Sequence, residues 1–243
     1  MPPARSTRLA LVDVLRGFAV AQMIVYHFIY DLGHFGWLTL RMTRDQPWVG
    51  WRTAIVTQFL LLVGVSLVLR MSFKPGLADF ARRWAEVAAA AALVSIGSWF
   101  VFGPRFIWFG ILHFIAVALL LARPLVRLGA WNLALAVVAF VAWLAVADPV
   151  FNATPANVIG FVTQKPRTED YVPLFPWLAA VLAGVGLGSL WQRADWRVPA
   201  WLAPVEQRPP RVLLLLGTWA LTVYLVHQPL LMGALALLKK LGL

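Results

Sequence analysis

The sequence predicts an all-α, polytopic transmembrane helix bundle, and three observations carry that prediction. The 243 residues are 61% hydrophobic and only 13% charged, far from the composition of a water-soluble domain. Six runs lack Asp, Glu, Lys and Arg for about the 20 residues that a bilayer core demands of a helix. These runs are continuous and rich in Leu and Ala, whereas a membrane barrel alternates polar and apolar residues over segments of about ten.

The first span, 9–32, is apolar apart from Asp13, Arg16, His27 and Asp31. Arg5 and Arg8 precede it as in a signal peptide, but Asp13 and Arg16 interrupt the apolar stretch and no small-residue cleavage site follows, so it is expected to be retained. The uncharged runs 53–69, 87–104, 106–122, 128–147, 172–192 and 212–238 complete a set of about seven spans in a single domain over 1–243. With the N-terminus in the cytoplasm, twelve Lys and Arg fall in inner segments and eight in outer ones, the asymmetry that orients membrane proteins. The longer loops, 33–47 and 148–171, are then both outer, which places function on that side. Trp37, Trp48, Trp51, Trp191 and Trp201 sit near span ends as interfacial anchors.

Composition also excludes function classes. The net charge of +11 comes from basic residues scattered singly and in pairs between apolar runs, so no nucleic-acid partner is implied. The inner basic loops suit anionic membrane lipids or a phosphate-bearing cytosolic ligand. With no Cys, disulfide frameworks, thiolate metal sites and cysteine nucleophiles fall away.

Ionisable groups at membrane depth are costly and each is a functional candidate. At 100° per residue from Arg16, His27 falls at about 20°, Asp13 and Asp31 at about 60°, and His34 returns to about 0°, so all five share one narrow face. His27 and Asp31 are one turn apart, a spacing that lets a carboxylate take one ring N–H and leave the other nitrogen as a base. The plainer alternative is that Asp13 with Arg16, and His27 with Asp31, are polar pairs that glue helices together. Metal ligation by His27, Asp31 and His34 lacks a recognisable zinc spacing, and no metal is expected.

The residues of that face also carry a resemblance. Asp-Val-Leu-Arg-Gly-Phe-Ala at 13–19 and Tyr-His-Phe at 26–28 resemble the first-helix signature of acyltransferase family three. Phe-Leu-Leu-Leu-Val-Gly-Val-Ser-Leu at 59–67, Phe-Gly-Ile-Leu-His-Phe-Ile at 109–115, Asp-Tyr-Val-Pro-Leu-Phe-Pro-Trp at 170–177 and Tyr-Leu-Val-His-Gln-Pro-Leu at 224–230 make the chain similar to bacterial relatives of the heparan-alpha-glucosaminide N-acetyltransferase catalytic domain.

The resemblance implies a bacterial inner-membrane enzyme. Its co-substrate is cytosolic acyl-CoA, typically acetyl-CoA, and its acceptor is a small molecule or glycan across the membrane. It implies a catalytic role for His27 and puts Arg16 in the same motif, with His34 as the alternative histidine, because the lysosomal enzyme carries its active histidine in the loop after the matching helix. The expected catalytic set is His27 as base, held by Asp31, with Arg16 orienting or neutralising. Where relatives often carry Gly-Arg-His-Ser before the residue matching Tyr224, this chain has Gly217, Thr218, Trp219 and Ala220.

The remaining candidates have equally plain structural roles. His113 lies alone among apolar residues, where a histidine serves either a site or packing. Pro229 removes one helical bond from the last span, a kink that would aim His227 and Gln228 at a cavity or merely place polar groups at the interface. Asp170 is expected to cap the helix that follows it and, on the resemblance, to touch the acceptor. A transporter or proton-coupled channel using Arg16, His27 and Asp31 as a relay is the alternative function, and an accessory subunit that docks a partner helix is a third. Oligomerisation is left open by the sequence.

Overall fold

The computed structural model describes residues 8–74 and 76–242, so Arg5 lies outside the described residues. Nine α-helices are formed among these: α1 (Ala10–His34), α2 (Gln46–Met71), α3 (Leu77–Phe102), α4 (Ile111–Leu125), α5 (Asn132–Ala145), α6 (Leu174–Arg193), α7 (Ala203–Gln207), α8 (Arg211–Thr218) and α9 (Ala220–Lys240). Six stretches are long and apolar enough to cross a membrane. Large side chains such as Phe100 (82% exposed) and Trp131 (75%) face outward, as lipid contact requires and water would penalise. The chain is a multi-pass membrane protein.

The described residues form two compact units, one ending at Phe59 and resuming at Val198, the other Leu60–Arg197. In the first unit, α1 opens without a side-chain cap of its own, and the Glu206 carboxylate of α7 accepts from the amides of Ala10 (3.1 Å) and Leu11 (2.6 Å). An acid at the positive end of a helix satisfies donors the helix cannot. Backbones of α1 and α8 then touch. A Cβ on Gly17 would lie 1.9 Å from the Leu213 carbonyl oxygen, and one on Gly217 would lie 1.7 Å from that of Asp13, so only glycine fits at either position.

The expected span 212–238 is divided at Trp219 into α8 and α9. At the far end of α1, the Lys239 ammonium donates to the Phe35 carbonyl at 2.8 Å, a cation at the negative helix end. Contacts thus advance in the same direction along α1 and along α7 to α9, which makes α1 and α9 parallel. Across α1 and α2, Gln22 donates to Gln58 (3.1 Å) and Gln58 to the Leu15 carbonyl (3.1 Å), an amide pairing typical of helices packed in lipid.

In the second unit, the later half of α2 meets α6 at another close approach. A Cβ on Gly64 would lie 2.2 Å from the Val181 oxygen, and one on Gly184 would lie 2.1 Å from that of Leu61. Leu60, Val68, Phe114, Val181 and Val185 are fully buried there.

The runs expected as two spans, 106–122 and 128–147, fall in one apolar stretch of 35 residues, Ile111–Ala145, and account for the difference between six candidates and about seven. That stretch doubles back. Its start lies beside Asp170, at the beginning of α6, and Gly129 lies beside Arg193, at the end of α6. Leu133 then packs on Gly186, and Ala136 and Ala139 pack with Ala179 and Leu182. Gly129 supplies the non-helical backbone of the turn (φ 56°), and the fully buried Asn132 amide donates to the Leu125 and Gly129 carbonyls, each at 2.8 Å.

Candidate functional site

Along the α1 face predicted from the wheel, partners come from α8 at Arg16 and from α9 at His27 and Asp31, while His34 is exposed. His27 Nδ1 lies 2.7 Å from His227 Nε2, with the rings 5.0 Å apart at 11°. His227 Nδ1 lies 2.7 Å from the Tyr224 carbonyl oxygen and 3.2 Å from that of Val223. Carbonyl oxygens only accept, so His227 Nδ1 carries its proton and, in a neutral pair, His227 Nε2 is an acceptor. His27 Nδ1–H therefore donates to it, and the lone pair of the pair as a whole emerges on His27 Nε2. This is the base-plus-orienting-group arrangement of acyl-transfer enzymes, built from two histidines.

The expected pairing of His27 with Asp31 is thus corrected. One turn on, Asp31 Oδ1 accepts from Gln228 Nε2 at 2.8 Å. Helical spacing allowed a bond within α1, but the neighbouring helix offers a partner at both levels, and each side chain bonds across the interface. Asp31 is 1% exposed, and its Oδ2, like the Oε1 of Gln228, has no hydrogen-bond partner among the described residues. A buried acceptor left unmatched costs about 1–3 kcal/mol, so two side by side form a local demand for donors. His227 is 7% exposed, and α9 runs unbroken through Pro229, so His227 meets α1 because of its helix face and not because of a chain break.

Toward the N-terminal end of the same helix, Arg16 pairs with Asp13 and donates to the Gly217 carbonyl at 3.2 Å. The guanidinium thereby ties α1 to α8. Beyond the other end of the ladder, His34 is exposed and lines a cavity of about 210 Å³ with Tyr30, Gly33, Leu40, Met42 and Thr43. Among the described residues no hydrogen bond orients its ring. His27, Asp31 and His34 do not form a cluster able to hold a metal ion.

His113 and Asp170 belong to the second unit. The Gly110 amide donates to His113 Nδ1 at 3.3 Å, which leaves Nε2 as the protonated nitrogen, 3.0 Å from Ser95 Oγ, and Ser95 in turn donates to the Ile107 carbonyl at 2.7 Å. Both ring nitrogens are therefore spent on holding the segment between α3 and α4. Asp170 does not cap α6 as expected. Its Oδ2 accepts from the Ile111 amide at 3.0 Å, capping α4, because the strip around 170 runs alongside the entry to α4.

That strip is tied by Val172 N–H to Phe109 O (3.2 Å), Thr168 Oγ1 to Phe106 O (2.6 Å) and an Arg105–Glu169 ion pair at 3.2 Å. The Tyr171 hydroxyl donates to the Asn157 carbonyl at 2.5 Å, and burial pushes that phenol up to about 12.

Sequence reasoning missed Glu206, the Gln22–Gln58 pair and Ser95. Glu206 alone had a signal, an acid in a mostly basic segment between apolar runs. Gln58 and Ser95 sit in uncharged runs where no charge marks them, and Gln22 lies on α1 away from the face that carries its charges.

Comparison with known proteins agrees with these motifs. The family model described as heparan-alpha-glucosaminide N-acetyltransferase, catalytic, matches residues 8–229. No curated protein and no solved structure matched the chain. The matched region covers most of the sequence and includes both members of the histidine pair, and the chain belongs to the family of heparan-alpha-glucosaminide N-acetyltransferase catalytic domains.

Proposed function

We propose that this protein is a membrane acetyltransferase that takes an acetyl group from acetyl-CoA and gives it to a hydroxyl or amine of a sugar-like acceptor. The family supports a transferase, and the observation that carries the chemistry is the His27–His227 pair. His27 Nε2 takes the proton of the acceptor O–H or N–H while that oxygen or nitrogen bonds to the thioester carbonyl carbon. The tetrahedral intermediate collapses by breaking the C–S bond, and the His27 imidazolium returns its proton to the CoA thiolate. His227 positions His27 and holds its tautomer. Asp31 Oδ2 and Gln228 Oε1, both in want of donors, would receive further O–H or N–H groups of the acceptor. Arg16 acts through structure, fixing α1 against α8. His27 is preferred to His34 because an orienting partner holds its ring.

The proposed topology places the N-terminus in the cytoplasm of a bacterial inner membrane, with seven crossings. Parallel α1 and α9 support an odd total, which is met if α4 and α5 each cross. The histidine ladder then lies in the outer half, consistent with an acceptor on that side.

The test is radiolabelled acetyl-CoA with purified protein in nanodiscs and a mixed glycan and amine acceptor pool, comparing wild type with His27→Ala. Label transferred by wild type alone is the expected result. No transfer and no CoA binding by folded wild type would overturn the enzyme reading and favour the relay, which proton-flux assays on vesicles would detect.

A further inference from the structure

The second unit contains a cavity that the mechanism does not use. It measures about 630 Å³, within the roughly 300–1,000 Å³ usual for small-molecule sites, and lies where α2, α4 and α6 end and α3 begins. Val68, Phe80 and Leu120 give it an apolar wall, and Arg123 in the last turn of α4 and Arg127 in the 3-10 turn just after it give it two guanidinium groups. The Gln192 amide donates to Ser72 Oγ at 2.9 Å on its rim.

Arginines near helix C-termini are common because they neutralise terminal carbonyls or reach into headgroups. Arg123 does neither in the usual way. Its guanidinium carbon sits 4.4 Å from the centroid of the buried Phe80 ring, and its Nε is buried without a hydrogen-bond partner. Among the described residues neither Arg123 nor Arg127 has an ion pair with an acid. A guanidinium held over an aromatic face still has terminal N–H donors to offer a doubly hydrogen-bonded anion, and phosphate oxygens are a good match.

We propose that this cavity binds the phosphate group of an amphiphile, with the guanidinium groups of Arg123 and Arg127 on the phosphate and the apolar wall against the attached chain. A membrane phospholipid and the diphosphate arm of an acyl-CoA share this chemistry; the second source rests on the acetyltransferase reading, the first does not.

The experiment compares wild type, Arg127→Gln and Arg123→Gln/Arg127→Gln in phosphatidylcholine nanodiscs. Native mass spectrometry counts phosphatidylglycerol retained after doping, calorimetry measures binding of coenzyme A, and a thermal midpoint reports folding. Arg127 is exposed, so its single variant reads the site even if the double variant is unstable. A loss of about tenfold in phosphatidylglycerol retention with unchanged coenzyme A binding identifies a lipid site. A loss of about tenfold in coenzyme A affinity identifies the donor site. Unchanged binding of both in the folded Arg127→Gln and double variants overturns the proposal. If wild type transfers no acetyl group but still loses bound phosphatidylglycerol on substitution, the acetyltransferase reading fails and this site stands.

Discussion

Two regions of this protein each bring a histidine and an aspartate into an apolar interior, and they differ in how completely the scaffold consumes them. At the start of α4, both nitrogens of His113 are engaged and Asp170 accepts from a helix amide. On α1 and α9, the hydrogen-bond chain ends with a lone pair on His27 Nε2, and Asp31 Oδ2 and Gln228 Oε1 are buried acceptors in want of donors. Every ionisable group at membrane depth is a functional candidate. On the proposed mechanism, leftover valence, more than the presence of charge, separates the reacting site from the structural one.

The sharpest way to break the comparison is His27→Ala. General-base catalysis contributes about 10²–10⁴-fold, so acetyl transfer per folded molecule should fall by that factor, while the buried His227 acceptor left without its donor should cost about 1–3 kcal/mol of stability. Next in size is Gly217→Ala, whose Cβ would meet the Asp13 carbonyl oxygen at 1.7 Å. Overpacking usually costs about 1–3 kcal/mol, and a backbone clash this deep should reach or exceed the upper end, seen as a lowered midpoint in detergent.

His227→Ala should slow transfer by about tenfold or more with little change in acetyl-CoA affinity, and His227→Gln, which keeps an acceptor for His27 Nδ1–H, should recover part of it.

On the other side of the comparison, His113→Ala leaves the Gly110 amide and Ser95 without a partner and should cost about 1–3 kcal/mol of stability. Asp170→Ala should cost about 1 kcal/mol through the lost cap. For both, transfer per folded molecule should fall far less than for His27→Ala.

The smallest effect concerns Tyr171. Its phenol ionises near 10.0 when unfolded and at about 12 when folded, so stability is intact below pH 10 and declines as pH rises from about 10 to about 12. Comparing thermal midpoints at about pH 9 and pH 11 should show a smaller drop for Tyr171→Phe than for wild type.

Much of this was legible in the sequence and some was not, for identifiable reasons. Periodicity alone placed Asp13, Arg16, His27 and Asp31 on one face of α1, because a helix wheel needs no knowledge of neighbours. The partner of that face was not legible: His27 and His227 are 200 residues apart, and a within-helix bond to Asp31 satisfied the same spacing rule. The α4–α5 turn was anticipated as a break between uncharged runs at Arg123 and Arg127, but Gly129 and Asn132, which shape it, carry no charge to mark them. The two glycine contacts at Gly17 and Gly64 were invisible because a glycine in an apolar run reads the same whether its face meets lipid or another backbone.

The proposed mechanism puts chemistry on His27 and leaves His113 a structural role. It is tested most directly by measuring acetyl transfer from labelled acetyl-CoA and thermal midpoint on His27→Ala and His113→Ala side by side in the same nanodiscs. A folded, inactive His27→Ala beside an active but less stable His113→Ala is the predicted result. Retained transfer in His27→Ala, with loss of transfer in a fully stable His113→Ala, would contradict it.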